Sequence, residues 1–283
     1  MTDQSVTKSE HVTQVAGNVQ VVHNHGISLN DLKDIVTILM REHMPALKAE
    51  AAATARENAE EFCKTFEEQL APQIPHINPK NFADPDIQSS IHDAVLNSAK
   101  KGKNAHAELL ASTLILRLKE APESYPSLVC SEAIKIIPSL TANQISFLTL
   151  AVFLLSTKIN SANSLSDLLP LATAVYEMCV DSYPVLESEK GYLQFKGCVS
   201  INRFSGGSYL DVMKSNYEFL SQIPDPKEAE KQFIEFAVLK RLSEIYDDTN
   251  MSQITLTPVG MVIGVTNMAR HVPNIDYKNW LNQ

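Results

Sequence analysis

Glycine is scarce in this chain, with nine in 283 residues. No glycine-rich nucleotide fingerprint is present, and Ser205-Gly206-Gly207-Ser208 matches neither a G-x-S-x-G nucleophile elbow nor a P-loop. Positive charge is also short: 24 Lys and Arg face 33 Asp and Glu, a formal charge of −9. A duplex-binding surface draws its affinity from neutralised phosphates, so this balance argues against nucleic acid as a main partner. Cysteine occurs four times, at Cys63, Cys130, Cys179 and Cys198, without a C-x-x-C pair. Each sits among apolar neighbours, where a free thiol behaves as a small hydrophobe, so a reducing, cytoplasmic setting is expected. The first 25 residues are polar and lack the apolar core of a secretory signal.

Long apolar runs are missing too. The most hydrophobic stretch, ISFLTLAVFLL at residues 145–155, lies within the 13 positions between Gln144 and Lys158. Crossing a bilayer takes about 20 apolar residues. A central buried helix is therefore expected, with no membrane span in the resting state.

What is present is helical spacing. Leu32, Ile35, Val36, Leu39 and Leu47 recur at i, i+3, i+4 intervals, with Ser28 or Asn30 available as cap. Pro45 predicts a kink or break. Ala55, Ala59, Phe62, Phe66 and Leu70 continue the apolar face, while Glu60, Glu61, Glu67 and Glu68 mark a solvated one. Pro72, Pro75 and Pro79 exclude a continuing helix over 71–83.

Asp84-Pro85 restarts a helix with an N-cap and N1 proline, burying Ile87, Ile91, Ala94 and Val95. Lys100, Lys101 and Lys103 form the one compact basic cluster and read as a solvated loop. Asn104 is expected to cap the following apolar helix, and a further helix follows Pro126. Thr141 and Gln144 spell a capping box. Helices are then predicted over 165–180, 187–195, 209–223 and 227–246, with a short strand over 253–257. Thr257-Pro258 should open a last helix to about Arg270. In it, Gly260 and Gly264 share a face and permit close backbone approach.

The N-terminus breaks this habit. In HVTQVAGNVQVVHNHG, the β-branched Val12, Val15, Val19, Val21 and Val22 alternate with amides, and Gly17-Asn18 can turn between two short arms. An isolated hairpin is marginal in water, so such strands need a partner sheet. Pairing between identical chains would stack valine on valine and build amide ladders. A free tail, or a strand covering its own body, is the alternative. His23 and His25 would share a strand face, but zinc needs further ligands that no nearby spacing supplies. His92 and His106, on successive helices, can meet across their hairpin. No residue recommends itself as catalytic, and no metal or cofactor is expected.

Two features together carry a family resemblance. GNVQVVHNHGISLNDLKDIV, a short Gly/Asn strand motif running into a long helix, resembles the opening of a family of uncharacterised bacterial proteins. Similar openings occur on proteins implicated in anti-phage defence. The segments FADPDIQSSIHDAVLNSAKKGKNAHAELLASTLILRLKE and SEAIKIIPSLTANQISFLTLAVFLL resemble that family's helical body. LTPVGMVIGVTNMARHV resembles C-terminal segments of related helical proteins. The resemblance implies a bacterial cytoplasmic setting and brings no catalytic residues.

The expected fold is all-α, a multi-helix bundle with a short N-terminal β-strand or hairpin. Its expected parts are a β-forming oligomerisation segment over 1–26, a helical arm over 27–71 and a helical body over 84–283. The expected function is a non-enzymatic, self-associating scaffold in bacterial anti-phage defence. It would associate through Val12, Val15, Val19, Val21 and His23, with the body receiving a protein partner or phage trigger. Two alternatives stand beside it. One is a hydrolase or nuclease with a site assembled across subunits from His23 and His25; the other is a membrane-perturbing effector that exposes residues 145–155.

Overall fold

The computed structural model describes residues 33–34, 41, 44–272 and 275. The expected N-terminal β element, the five residues assigned to oligomerisation and the apolar face from Leu32 to Leu39 lie outside them. The chain divides into two compact units, Met1–Ala53 and Thr54–Gln283. In the first, residues 44–53 are helical.

Among the described residues there are twelve α-helices and one two-stranded sheet, an all-α multi-helix architecture. Helix α1 is Met44–Leu70, with Pro45 its second residue, so the proline stands at a helix start. Proline spacing then has the expected effect: residues 71–83 form two short 3-10 helices, Ala71–His76 and Pro79–Ala83. Asp84 accepts hydrogen bonds from the amides of Asp86 and Ile87 and opens α2, Pro85–Lys101. Ile87 and Ala94 are buried, and Ile91 and Val95 half-buried. Of the apolar positions on α1, Phe62 is fully buried in the same core as Ala94 and Leu109.

The next cap differs from expectation. Asn104 lies in a 3-10 turn, Gly102–Ala105, and His106 at φ 56° precedes α3, Ala107–Lys119. Positive φ is uncommon outside glycine, though His is among the residues that adopt it, and here the ring finds a partner. His106 Nε2 lies 2.8 Å from the Leu140 carbonyl oxygen. Helix α4, Tyr125–Ile136, is capped by Ser124 and buries Val129, Cys130, Ala133 and Ile134.

Helix α5, Ala142–Ser156, carries the predicted capping box, with Thr141 and Gln144 satisfying each other's amides. Every residue from Ile145 to Leu154 is buried. Helices α6, Leu169–Cys179, and α7, Glu187–Phe195, follow.

Two predicted helices are each split in two. The stretch 209–223 forms α8, Tyr209–Asn216, and α9, Glu218–Ser221. The break falls at Tyr217, whose hydroxyl accepts a hydrogen bond from the Ile159 amide. The stretch 227–246 forms α10, Pro226–Ile234, and α11, Ala237–Asp248, separated by an extended Phe236. Geometry explains this break. At about 100° per residue, one unbroken helix would point Leu242 roughly opposite Phe233. Both are buried in one core, so the helix must turn between them.

The predicted strand is β2, Ile254–Leu256. Its antiparallel partner β1, Val199–Ile201, was not anticipated; Val199 faces Leu256 and Ile201 faces Ile254. This ribbon delivers the chain to α12, Pro258–Ala269, capped by Thr257. The glycines behave as the sequence suggests. A Cβ on Gly260 would sit 2.0 Å from the Cys198 carbonyl oxygen, and one on Gly264 would sit 2.6 Å from that of Leu148. Backbone contact this close lets α12 lie on α5, where Asn267 Nδ2 donates to Thr149 Oγ1 at 3.0 Å. Among the described residues no helix is long and apolar enough to cross a membrane.

Candidate functional site: a cleft over helix α3

Helix α3 is apolar over most of its circumference, yet Glu108, Ser112 and Lys119 fall on one face at i, i+4 and i+11. That face is the floor of a cleft of about 470 Å³. Gln69 at the end of α1 and Gln73 in the 3-10 turn form one wall; Val265, Thr266, Ala269 and Arg270 of α12 form the other.

A belt of hydrogen bonds fixes the rim. Gln69 Oε1 accepts from the Ser112 hydroxyl at 2.8 Å, and Gln69 Nε2 donates to the Glu108 carbonyl at 3.3 Å. At one end Arg270 pairs with the Glu108 carboxylate and donates to Asn267 Oδ1 at 3.1 Å. Burial lowers the Arg270 pKa, and His271 is lowered by burial and by the neighbouring Arg270 charge. At the other end Lys119 Nζ donates to the amide oxygen Gln73 Oε1 at 2.8 Å. Between the ends lie Ile115, Leu116, Val265 and Ile275. The hydroxyl of Thr266 is buried without a hydrogen-bond partner on the α12 wall.

The lysine cluster is partly as expected. Lys100 and Lys101 belong to the last turn of α2, where a cation complements the helix dipole, and all three lysines are exposed. Lys101 Nζ donates to the Pro138 carbonyl at 2.6 Å, so the cluster lines a groove at the start of α5 rather than standing free in a loop.

Other singled-out residues resolve as structure. His92 is exposed, whereas His106 is half-buried on the Leu140 carbonyl, and burial lowers its pKa. Glu60, Glu61, Glu67 and Glu68 are exposed. Ser205–Ser208 is a turn in which Ser208 caps α8 with Asp211. Cys130, Cys179 and Cys198 are buried, which pushes their thiols up to about 12; Cys63 is exposed. Among the described residues no group of three or more His, Cys, Asp or Glu is placed to hold a metal ion.

Below the cleft floor α3 carries a second polar feature. Arg117 is 2 % exposed, yet its Nη2 pairs with Asp86 Oδ2 at 2.7 Å and its Nε donates to Ser131 Oγ at 3.0 Å. The arginine holds the Asp86 carboxyl below the usual carboxylate range. This pair ties α2, α3 and α4 together.

A family model matches residues 26–242 and, in a second segment, 219–281. The chain belongs to this uncharacterised protein family. No curated protein and no solved structure matches it. The match spans the helices that build the cleft and begins one residue after His25.

The cleft residues were not picked out from the sequence. The available signal was the polar line Glu108, Ser112, Lys119 along a helix otherwise rich in leucine, together with Arg270 ending an apolar helix.

Proposed function

We propose that the chain is a non-enzymatic, self-associating interaction protein acting in bacterial anti-phage defence. Val12, Val15, Val19, Val21 and His23 pair strands between copies, and the helical body receives a protein partner or trigger. The observation that carries this reading is where the family match begins. It starts at residue 26 and takes in the helical body, so the β-branched, amide-alternating segment falls outside the match. Such a segment needs a partner sheet. Among the described residues the body's strands form one ribbon of only three residues each, a short edge for such a segment. A second copy supplies the missing edge. The defence role rests on the resemblance of GNVQVVHNHG and the helix after it to openings found on defence proteins.

Strand pairing is tested at Val21. Proline there removes an amide donor from one edge, while the helices rest on their own core. Val21→Pro should lower the particle mass in light scattering and leave helical circular dichroism nearly unchanged. Equal mass for wild type and variant would refute strand-mediated association.

A further inference from the structure

We propose that the cleft over α3 binds a small carboxylic acid with an apolar body, its head on Lys119 and its body along Ile115, Leu116, Val265 and Ile275. The proposal uses no residue of the N-terminal segment and does not rest on self-association.

Charge decides which end takes the head. At the α12 end Arg270 is already matched by the Glu108 carboxylate, and a second anion there would meet that like charge. Lys119 is different. Among the described residues its one hydrogen-bond partner is the neutral amide oxygen of Gln73, and Lys119 is half-buried. A charge drawn out of water without a counter-charge is costly. An ammonium has three donors, so two remain for a carboxylate.

The spacing suits an elongated ligand. Glu108 and Lys119 are 11 residues apart on one helix, which at about 1.5 Å per residue sets their backbone positions about 16.5 Å apart along the axis. Ile115, Leu116 and Val265 supply apolar lining along the cleft, and its volume of about 470 Å³ falls within the roughly 300–1,000 Å³ of small-molecule sites.

Decanoate tests the assignment, with 1-decanol carrying the same body without the charge and acetate the charge without the body. Calorimetric titration of the full chain below the micelle concentration should show saturable binding of one decanoate per chain. Decanol and acetate should bind at least about tenfold more weakly, since a charge-assisted hydrogen bond and the apolar contact are each of that size. Lys119→Gln should weaken decanoate about tenfold; Ile275→Ser, in the apolar lining, should weaken it severalfold. Lys103→Gln, the same charge change outside the cleft, should leave it unaltered. Circular dichroism checks that each variant is folded. Absence of saturable decanoate binding, equal affinity for decanol, or equal affinity in wild type and Lys119→Gln would overturn the proposal.

Discussion

Replacing one glycine by alanine should have opposite consequences at two helical positions. In α12, a Cβ on Gly260 would lie 2.0 Å from the Cys198 carbonyl oxygen and 2.8 Å from its carbon. Real Cβ contacts do not reach that distance, so backbone must move. The Cys198 carbonyl resists movement, because it accepts from the Thr257 amide at 3.0 Å and from the Thr257 hydroxyl at 3.0 Å. Overpacking of this kind typically costs about 1–3 kcal/mol and occasionally more. Loss of glycine's helix penalty returns up to about 1 kcal/mol. With an overlap of this depth on backbone, Gly260→Ala should be destabilised by about 2 kcal/mol net. Gly191 stands in α7 with nothing within 4 Å of the position its Cβ would take. Gly191→Ala should therefore gain about 0.5–1 kcal/mol. Urea unfolding followed by circular dichroism reads both as shifts of the midpoint in opposite directions. A Gly260→Ala midpoint at or above wild type would refute the packing of α12 on the strand ribbon.

Leu148 is fully buried at the α5–α12 contact, so Leu148→Ala should lower stability by about 2–5 kcal/mol; an unchanged denaturant midpoint would sink the core assignment of α5. The Asp86 carboxyl is held low by Arg117, so its contribution is present above the unfolded carboxylate range and lost as pH falls through its lowered native value. Asp86→Asn should flatten the acid limb of the stability profile and lower stability at neutral pH, and an unaltered profile would show that the pair contributes nothing. Of the four thiols, Cys63 alone should react with a thiol reagent in the native chain, and all four after unfolding; more than one native equivalent would contradict the burial of the others.

Much of the helical framework was legible because its signals are local. The Asp84-Pro85 and Thr257-Pro258 starts and the Thr141–Gln144 capping box depend on neighbours within a turn. The density of apolar residues over 145–155 was enough to place that helix at the centre. What escaped depends on distant partners. The break at Phe236 exists because Phe233 and Leu242 must reach one core from opposite sides of a helix. Strand β1 is three residues long and acquires its identity only from β2, more than 50 residues later. Asn104 had the chemistry of a cap, but the His106 ring reaching Leu140 placed the helix start two residues further on. The cleft was least legible of all. Gln73, Lys119 and Arg270 come from three separate segments, and no spacing in the sequence relates them.

The central claim is that copies of this chain assemble. The most direct test is the absolute mass of the full chain by multi-angle light scattering across a range of concentrations. The account predicts a mass of at least two times, and a whole-number multiple of, the 31.3 kDa chain. A particle of 31.3 kDa at every concentration would contradict it.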